Sequence, residues 1–114
     1  MSKPILAAAA LTALTLAAPA HAKDARCTIE SEGSNYTGPC QYTVAKGGTF
    51  TITAPHGRGF GGGTLSLTVY VTRPGFAEVR GLTQAGINSR WGSARRSRRD
   101  GACWDGDGFS VCVY

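Results

Sequence analysis

Cys103-Trp104-Asp105-Gly106-Asp107-Gly108-Phe109-Ser110-Val111-Cys112-Val113 is the stretch whose reading decides how this chain folds. Asp107-Gly108 is a strong signal for a two-residue hairpin turn of type I′, in which both central residues take positive φ. With that turn, Gly106 faces Phe109 in a hydrogen-bonded pair, and the two classes of cross-strand pair alternate outward. Asp105 then meets Ser110, Trp104 meets Val111, and Cys103 meets Cys112 in a non-hydrogen-bonded pair. Pairs of that class hold their Cα atoms about 4.5 Å apart, within reach of a disulfide. Trp104, Phe109, Val111 and Val113 fall on the opposite face, as a core-facing set. Turn chemistry, cysteine spacing and apolar pattern agree on one register. It pairs Cys103 with Cys112 and, by elimination, Cys27 with Cys40. Closing a loop of roughly ten residues stabilises the fold by about 2.5–3 kcal/mol in the chain-entropy account.

Upstream, the same period of two recurs in short runs bounded by turn residues, and no segment carries a helical apolar stripe of useful length. Arg26 to Glu30 is the first strand, followed by a polar Ser-Glu-Gly-Ser-Asn turn. Gln41 to Ala45 follows Gly38-Pro39, and Lys46-Gly47-Gly48 turns into Thr49 to Thr53. In Leu65 to Thr72, Leu65, Leu67, Val69 and Val71 alternate with polar or aromatic neighbours. Arg73-Pro74-Gly75 is a turn signal, and Phe76 to Leu82 continues with Ala77, Val79 and Gly81 on one face. Ala54 to Gly63, rich in glycine, reads as an exposed loop over a binding face. Asn88 to Asp100 reads as a polar, basic segment. These runs predict an all-β domain of six to seven strands, a small antiparallel barrel or sandwich with two disulfides.

The N-terminus predicts export. Lys3 is followed by an uncharged run from Ile5 to Ala18, then by Pro19 and the small-residue pattern Ala20-His21-Ala22. That order is a signal peptide over residues 1–22, too short to span a bilayer. A single stapled β domain over 23–114 follows, periplasmic or secreted, and not an integral membrane protein. All four cysteines lie in it, an even number suited to an oxidising compartment. Their spacings do not fit the short knuckles of a zinc site. Of the twelve Lys and Arg only Lys3 falls in the leader, with none of the seven acids, so the net charge drops by one to +4.

The densest charge is Arg95-Arg96-Ser97-Arg98-Arg99, preceded by Arg90 and Trp91. Such a field attracts phosphate, sulfate or carboxylate polymers, and the guanidinium fork suits those groups. Arg90, Trp91, Arg95, Arg96, Arg98 and Arg99 are therefore the candidate binding residues. In an exported protein the expected partner is an anionic envelope polymer or an acidic protein, not chromosomal nucleic acid. Asp105-Gly106-Asp107-Gly108 lacks the further ligands of a calcium loop, so no metal is expected. Gly57 to Gly63 lacks the Lys and Ser or Thr of a phosphate loop. His56 stands alone beside Pro55, without the orienting partner that nucleophilic catalysis needs. No cofactor is expected, and the chain reads as a binding domain rather than an enzyme.

Cys27-Thr28-Ile29 with Gly38-Pro39-Cys40, and Gly101-Ala102-Cys103-Trp104 with Val111-Cys112, carry a resemblance. The arrangement resembles small, uncharacterised exported proteins of alphaproteobacteria that pair a C-x-I…G-x-C unit with a G-A-C-W…V-C unit. The resemblance implies export and disulfides, and it brings no activity. In size, compartment and fold class the chain is also similar to small β-barrel lysozyme inhibitors of the bacterial periplasm, which makes a hydrolase inhibitor acting through Ala54 to Gly63 the alternative function. A structural envelope protein is the third.

Overall fold

A computed structural model describes residues 22–114; the leader expected over residues 1–22 lies, apart from Ala22, outside the described residues. Eight antiparallel strands close into an up-and-down barrel: β1 (Lys23–Ser31), β2 (Ser34–Val44), β3 (Phe50–Thr53), β4 (Thr64–Arg73), β5 (Phe76–Thr83), β6 (Asn88–Arg96), β7 (Cys103–Gly106) and β8 (Phe109–Val113). The expected six to seven strands become eight, and the choice between barrel and sandwich resolves to a barrel. Closure runs through β1 and β8, where Arg26 and Tyr114 exchange both backbone hydrogen bonds at 3.0 and 2.8 Å. A closed barrel leaves no full-length edge for stray pairing.

The interior of an eight-stranded barrel is just wide enough for side chains to fill. Ile29, Ile52, Leu67, Val69, Val79 and Val111 fill it here, each from an inward row. Thr51, Thr68, Glu78 and Arg90 stand on the outside, and the Thr51 and Thr68 hydroxyls meet at 2.8 Å. Both expected disulfides are present. Cys27 pairs across the ladder with Gly38 and Cys40 with Ala25, so the Cys27–Cys40 bridge runs diagonally inside the barrel. Cys103 faces Cys112 directly, with Cα atoms 4.0 Å apart on the outer side of the final hairpin.

That hairpin has the register expected of it, pair for pair from Gly106–Phe109 to Cys103–Cys112. Its turn is not of type I′, however. Gly108 has φ +84°, but His56 is the only non-glycine residue with positive φ among those described, so Asp107 keeps a negative φ. Those are the signs of a type II turn. The register survives because the length of the loop, not the hand of the turn, fixes which residues face each other.

Two segments read as turn or loop are strands. β2 begins at Ser34, so the first turn shrinks to Glu32-Gly33 and Pro39 sits within a ladder. Arg26 spends its backbone groups on β8, which makes Arg26–Pro39 a non-hydrogen-bonded pair of β1 and β2. The ring nitrogen of Pro39 therefore points away from β1, to the side where β3 has already ended at Thr53 opposite Gln41. No ladder bond is lost there, which is the condition for proline in a sheet.

The second segment is β6. Val79 pairs with Gly92 and Arg80 with Arg90, so Trp91 is the extra residue of a bulge. The bulge turns Trp91 into the barrel wall, edge-on to Phe109 with ring centres 5.6 Å apart. Gly81 makes the room: a Cβ there would lie 2.8 Å from the indole nitrogen. The loop read as exposed is likewise anchored, with Ala54 and Phe60 buried. The Phe60 amide donates to the Thr64 carbonyl at 2.7 Å, and Phe60 packs edge-on against Tyr36.

Candidate functional site

One end of the barrel gathers the turns β2–β3, β4–β5 and β6–β7 together with the start of β1 and the end of β8. Lys23, Lys46, Arg73, Arg95, Arg96 and the arginines of the turn after β6 belong to that end. The opposite end carries Glu32 and Asp107 in its turns.

The arginine segment is divided by the pleat. Successive side chains of a strand face opposite ways, and Ala94 is inward and buried. Arg95 therefore faces out, cross-strand from Phe76, whose ring also receives Arg73 from the adjoining strand. The Arg73 guanidinium carbon lies 3.7 Å from the centre of the Phe76 ring, and that of Arg95 5.2 Å. Arg96 turns to the mouth of the barrel, 5.3 Å from the centre of the Trp104 ring, and its Nε donates to the Gly101 carbonyl at 2.8 Å. Arg98 and Arg99 project from the β6–β7 turn.

That turn is held by its own polar groups. The Ser97 hydroxyl accepts the Arg99 and Asp100 amides at 3.1 and 3.3 Å. Asp100 accepts the Ala102 amide at 3.0 Å and the Tyr114 hydroxyl at 2.6 Å. The Tyr114 hydroxyl and then the Ala102 amide hold the Asp100 carboxyl below its ordinary range. Asp100 in turn raises the Tyr114 phenol above its own. The carboxylate inside the arginine turn is thus spent on the turn, and among the described residues no carboxylate pairs with the arginines around it.

Arg90 has a different fate. Its Nε lies 2.9 Å from Glu78 on the outer wall, the one ion pair among the described residues. The Ser93 hydroxyl donates to the same carboxylate at 2.7 Å. The Ser93 hydroxyl first, and the Arg90 guanidinium next, hold the Glu78 carboxyl below its ordinary range. Of the six candidate residues, Arg95, Arg96, Arg98 and Arg99 meet at one end, whereas Arg90 is engaged elsewhere and Trp91 belongs to the wall. Arg73, Lys46 and Lys23 join the site without having been singled out in the sequence. Only a strand pairing reveals that the turn Arg73-Pro74-Gly75 lies beside Arg95.

Beneath the arginine turn the mouth opens into a cleft of about 280 Å³, reached past Lys23, Asp24, Arg96 and Tyr114. A second cleft of about 360 Å³ lies between Tyr36 and Pro39 of β2 and His56 and Arg58 of the anchored loop. No group of three or more His, Cys, Asp or Glu that would hold a metal occurs among the described residues. Nor is any helix among them long and apolar enough to cross a membrane. No family model matches the chain, and neither a curated protein nor a solved structure matches it.

Proposed function

We propose that this protein is an exported, non-catalytic binding domain whose basic barrel end takes an anionic polymer of the cell envelope. One observation carries the reading. Arg73, Arg95, Arg98 and Arg99 converge from two hairpins onto one end, and no carboxylate pairs with any of them among the described residues. Unpaired arginines keep their full charge and forked donors for an external anion. Two disulfides suit an oxidising compartment, and the leader-like N-terminus supports delivery to the periplasm or medium. Polar outward rows support a barrel in water, since a membrane barrel needs an apolar outer band.

Retention of the exported protein on a sulfated or phosphorylated glycan matrix tests the reading. The native protein should be held at low salt and released as salt rises, by counterion competition. Arg95→Ser combined with Arg98→Ser and Arg99→Ser should elute at clearly lower salt. Equal retention of the two proteins would sink the proposal, and retention only on an acidic protein matrix would redirect it to a protein partner.

A second reading, a hydrolase inhibitor, draws support from the loop after β3. Its anchoring through Ala54 and Phe60, and the left-handed φ of +60° at His56, describe a loop fixed in one shape. Loss of lysozyme activity on adding the purified protein in micromolar excess would favour that reading; unimpaired turnover would remove it.

A further inference from the structure

The cleft at the mouth is not used by a polymer that lies across the outer arginines, and its lining has a chemistry of its own. Its floor is aromatic: Tyr42, Phe50 and Trp104, walled by Ala25 and Val113. Phe50 and Trp104 are only 5% and 4% exposed. Tyr42 packs on Phe50 with ring centres 5.2 Å apart. Core packing holds both rings, and the parts of them that border the cleft form its floor with Tyr42.

The rim is positive. Lys23 shares the inward row of β1 with Ala25 and Cys27 and lines the cleft. The expected cleavage after Ala22 makes Lys23 the first residue and adds an α-ammonium group beside it. Arg96 is the second cation, steered by the Gly101 carbonyl and the Trp104 ring. The acids nearby are occupied: Asp24 accepts from Gln41 Nε2 at 2.6 Å, and Asp100 from Tyr114 and Ala102. Among the described residues Arg96 has no carboxylate partner.

We propose that this mouth binds a small organic carboxylate with a flat aromatic body. The ring lies on the Tyr42–Phe50–Trp104 floor, and the carboxylate meets Arg96 and Lys23. With Nε engaged by Gly101, the Nη groups of Arg96 remain to donate to the two carboxylate oxygens. Small-ligand sites favour barrel mouths and run from about 300 Å³ upward; at about 280 Å³ this cleft lies just under that range and admits nothing larger than a one- or two-ring molecule. A neutral amide analogue offers Arg96 one carbonyl acceptor in place of a charged, two-oxygen one, and the weaker contact offsets less of the lost hydration.

Titration of the isotope-labelled exported protein with naphthoate, naphthamide and naphthyl phosphate tests this, followed by backbone and indole N–H resonances. Naphthoate should shift the Trp104 indole and the Tyr42 and Val113 amides and saturate in the submillimolar range. Naphthamide should bind about tenfold more weakly or worse, as a lost charge-assisted contact requires. Arg96→Gln should weaken naphthoate by a similar factor. Arg98→Ser with Arg99→Ser should leave naphthoate binding unchanged while lowering retention on the anionic matrix, which separates failure of this site from failure of the polymer reading. Should Arg96→Gln lose its dispersed spectrum, Lys23→Gln at the exposed strand end carries the same test, with a several-fold loss expected. Equal affinity for naphthamide, preference for naphthyl phosphate, no effect of the folded variants, or no shifts at the mouth would each overturn the assignment.

Discussion

Arg95 and Arg96 are neighbours in the chain and point to opposite sides of the barrel wall. Arg95 lies over Phe76 on the outside, and Arg96 over Trp104 at the mouth. One backbone pleat therefore splits a run of arginines into an outer surface and an inner rim. The two can be removed separately, which is why the tests of polymer and small-ligand binding use different variants.

Gly106 is required by Phe109. The two face each other across the last hairpin, and a Cβ on Gly106 would overlap carbons of the Phe109 ring. Gly106→Ala should therefore cost about 1–3 kcal/mol, the usual penalty of overpacking. Gly101→Ala, with nothing within 4 Å of the added carbon, should stay within about 0.5 kcal/mol of the native protein. Urea unfolding of the two variants measures the contrast.

Removing the inner disulfide should do more harm than removing the outer one. The two bridges close loops of similar length, with sequence separations of 13 and 9, so their entropic contributions are alike at about 3 kcal/mol each. Cys27 and Cys40 are also 0% and 1% exposed inside the barrel. Cys27→Ala with Cys40→Ala leaves a void there, and roughly a further 1 kcal/mol is expected. Cys103→Ala with Cys112→Ala should lose the loop term and less packing, because that bridge is buried but lies outside the core cluster. Equal midpoints in denaturant would contradict this ordering.

The Asp100–Tyr114 hydrogen bond sets a window of pH. Asp100 is depressed in the fold, so its contribution is present above the ordinary carboxylate value and disappears as pH falls through the folded value. Tyr114 is raised, so its contribution is present below the ordinary phenol value and disappears as pH rises through the folded one. In Tyr114→Phe, Asp100 should titrate higher, though the Ala102 amide still holds it partly down. In Asp100→Asn, Tyr114 should return toward its ordinary value. Side-chain resonances followed through both titrations report each shift directly, and unchanged midpoints would mean that the hydrogen bond does not form in solution.

Several features were legible from local pattern, and the exceptions have identifiable causes. Phe50, Ile52, Leu67, Val69, Ala77 and Val79 alternate in the sequence and line the barrel. Leu65 alternates too, yet it lies outside the core, because a register shift between Thr64 and Ser66 turns Thr64 inward in its place. β6 escaped notice because its inward positions, Gly92 and Ala94, are small and its one large apolar residue is a bulge. Phe109 and Trp91 fill the space that those small residues leave, so the apolar signal of β6 sits partly on other strands. The first half of β2 is hidden because it contains Gly38 and Pro39: glycine weakens a strand signal, and proline is tolerated only where no ladder donor is needed.

The chain by itself determined the period of two in its main strands, the length of the last turn, the register of the final hairpin and hence both disulfides. These rest on residues close together in sequence, where backbone geometry links spacing to facing. Tertiary structure alone decided the closure into eight strands, the inward turn of Trp91, the meeting of Arg73 with Arg95 and the pairing of Arg90 with Glu78. Those depend on bulges and on cross-strand neighbours far apart in the chain. A shift of one residue reverses which side a side chain faces, and no local pattern records where such a shift occurs.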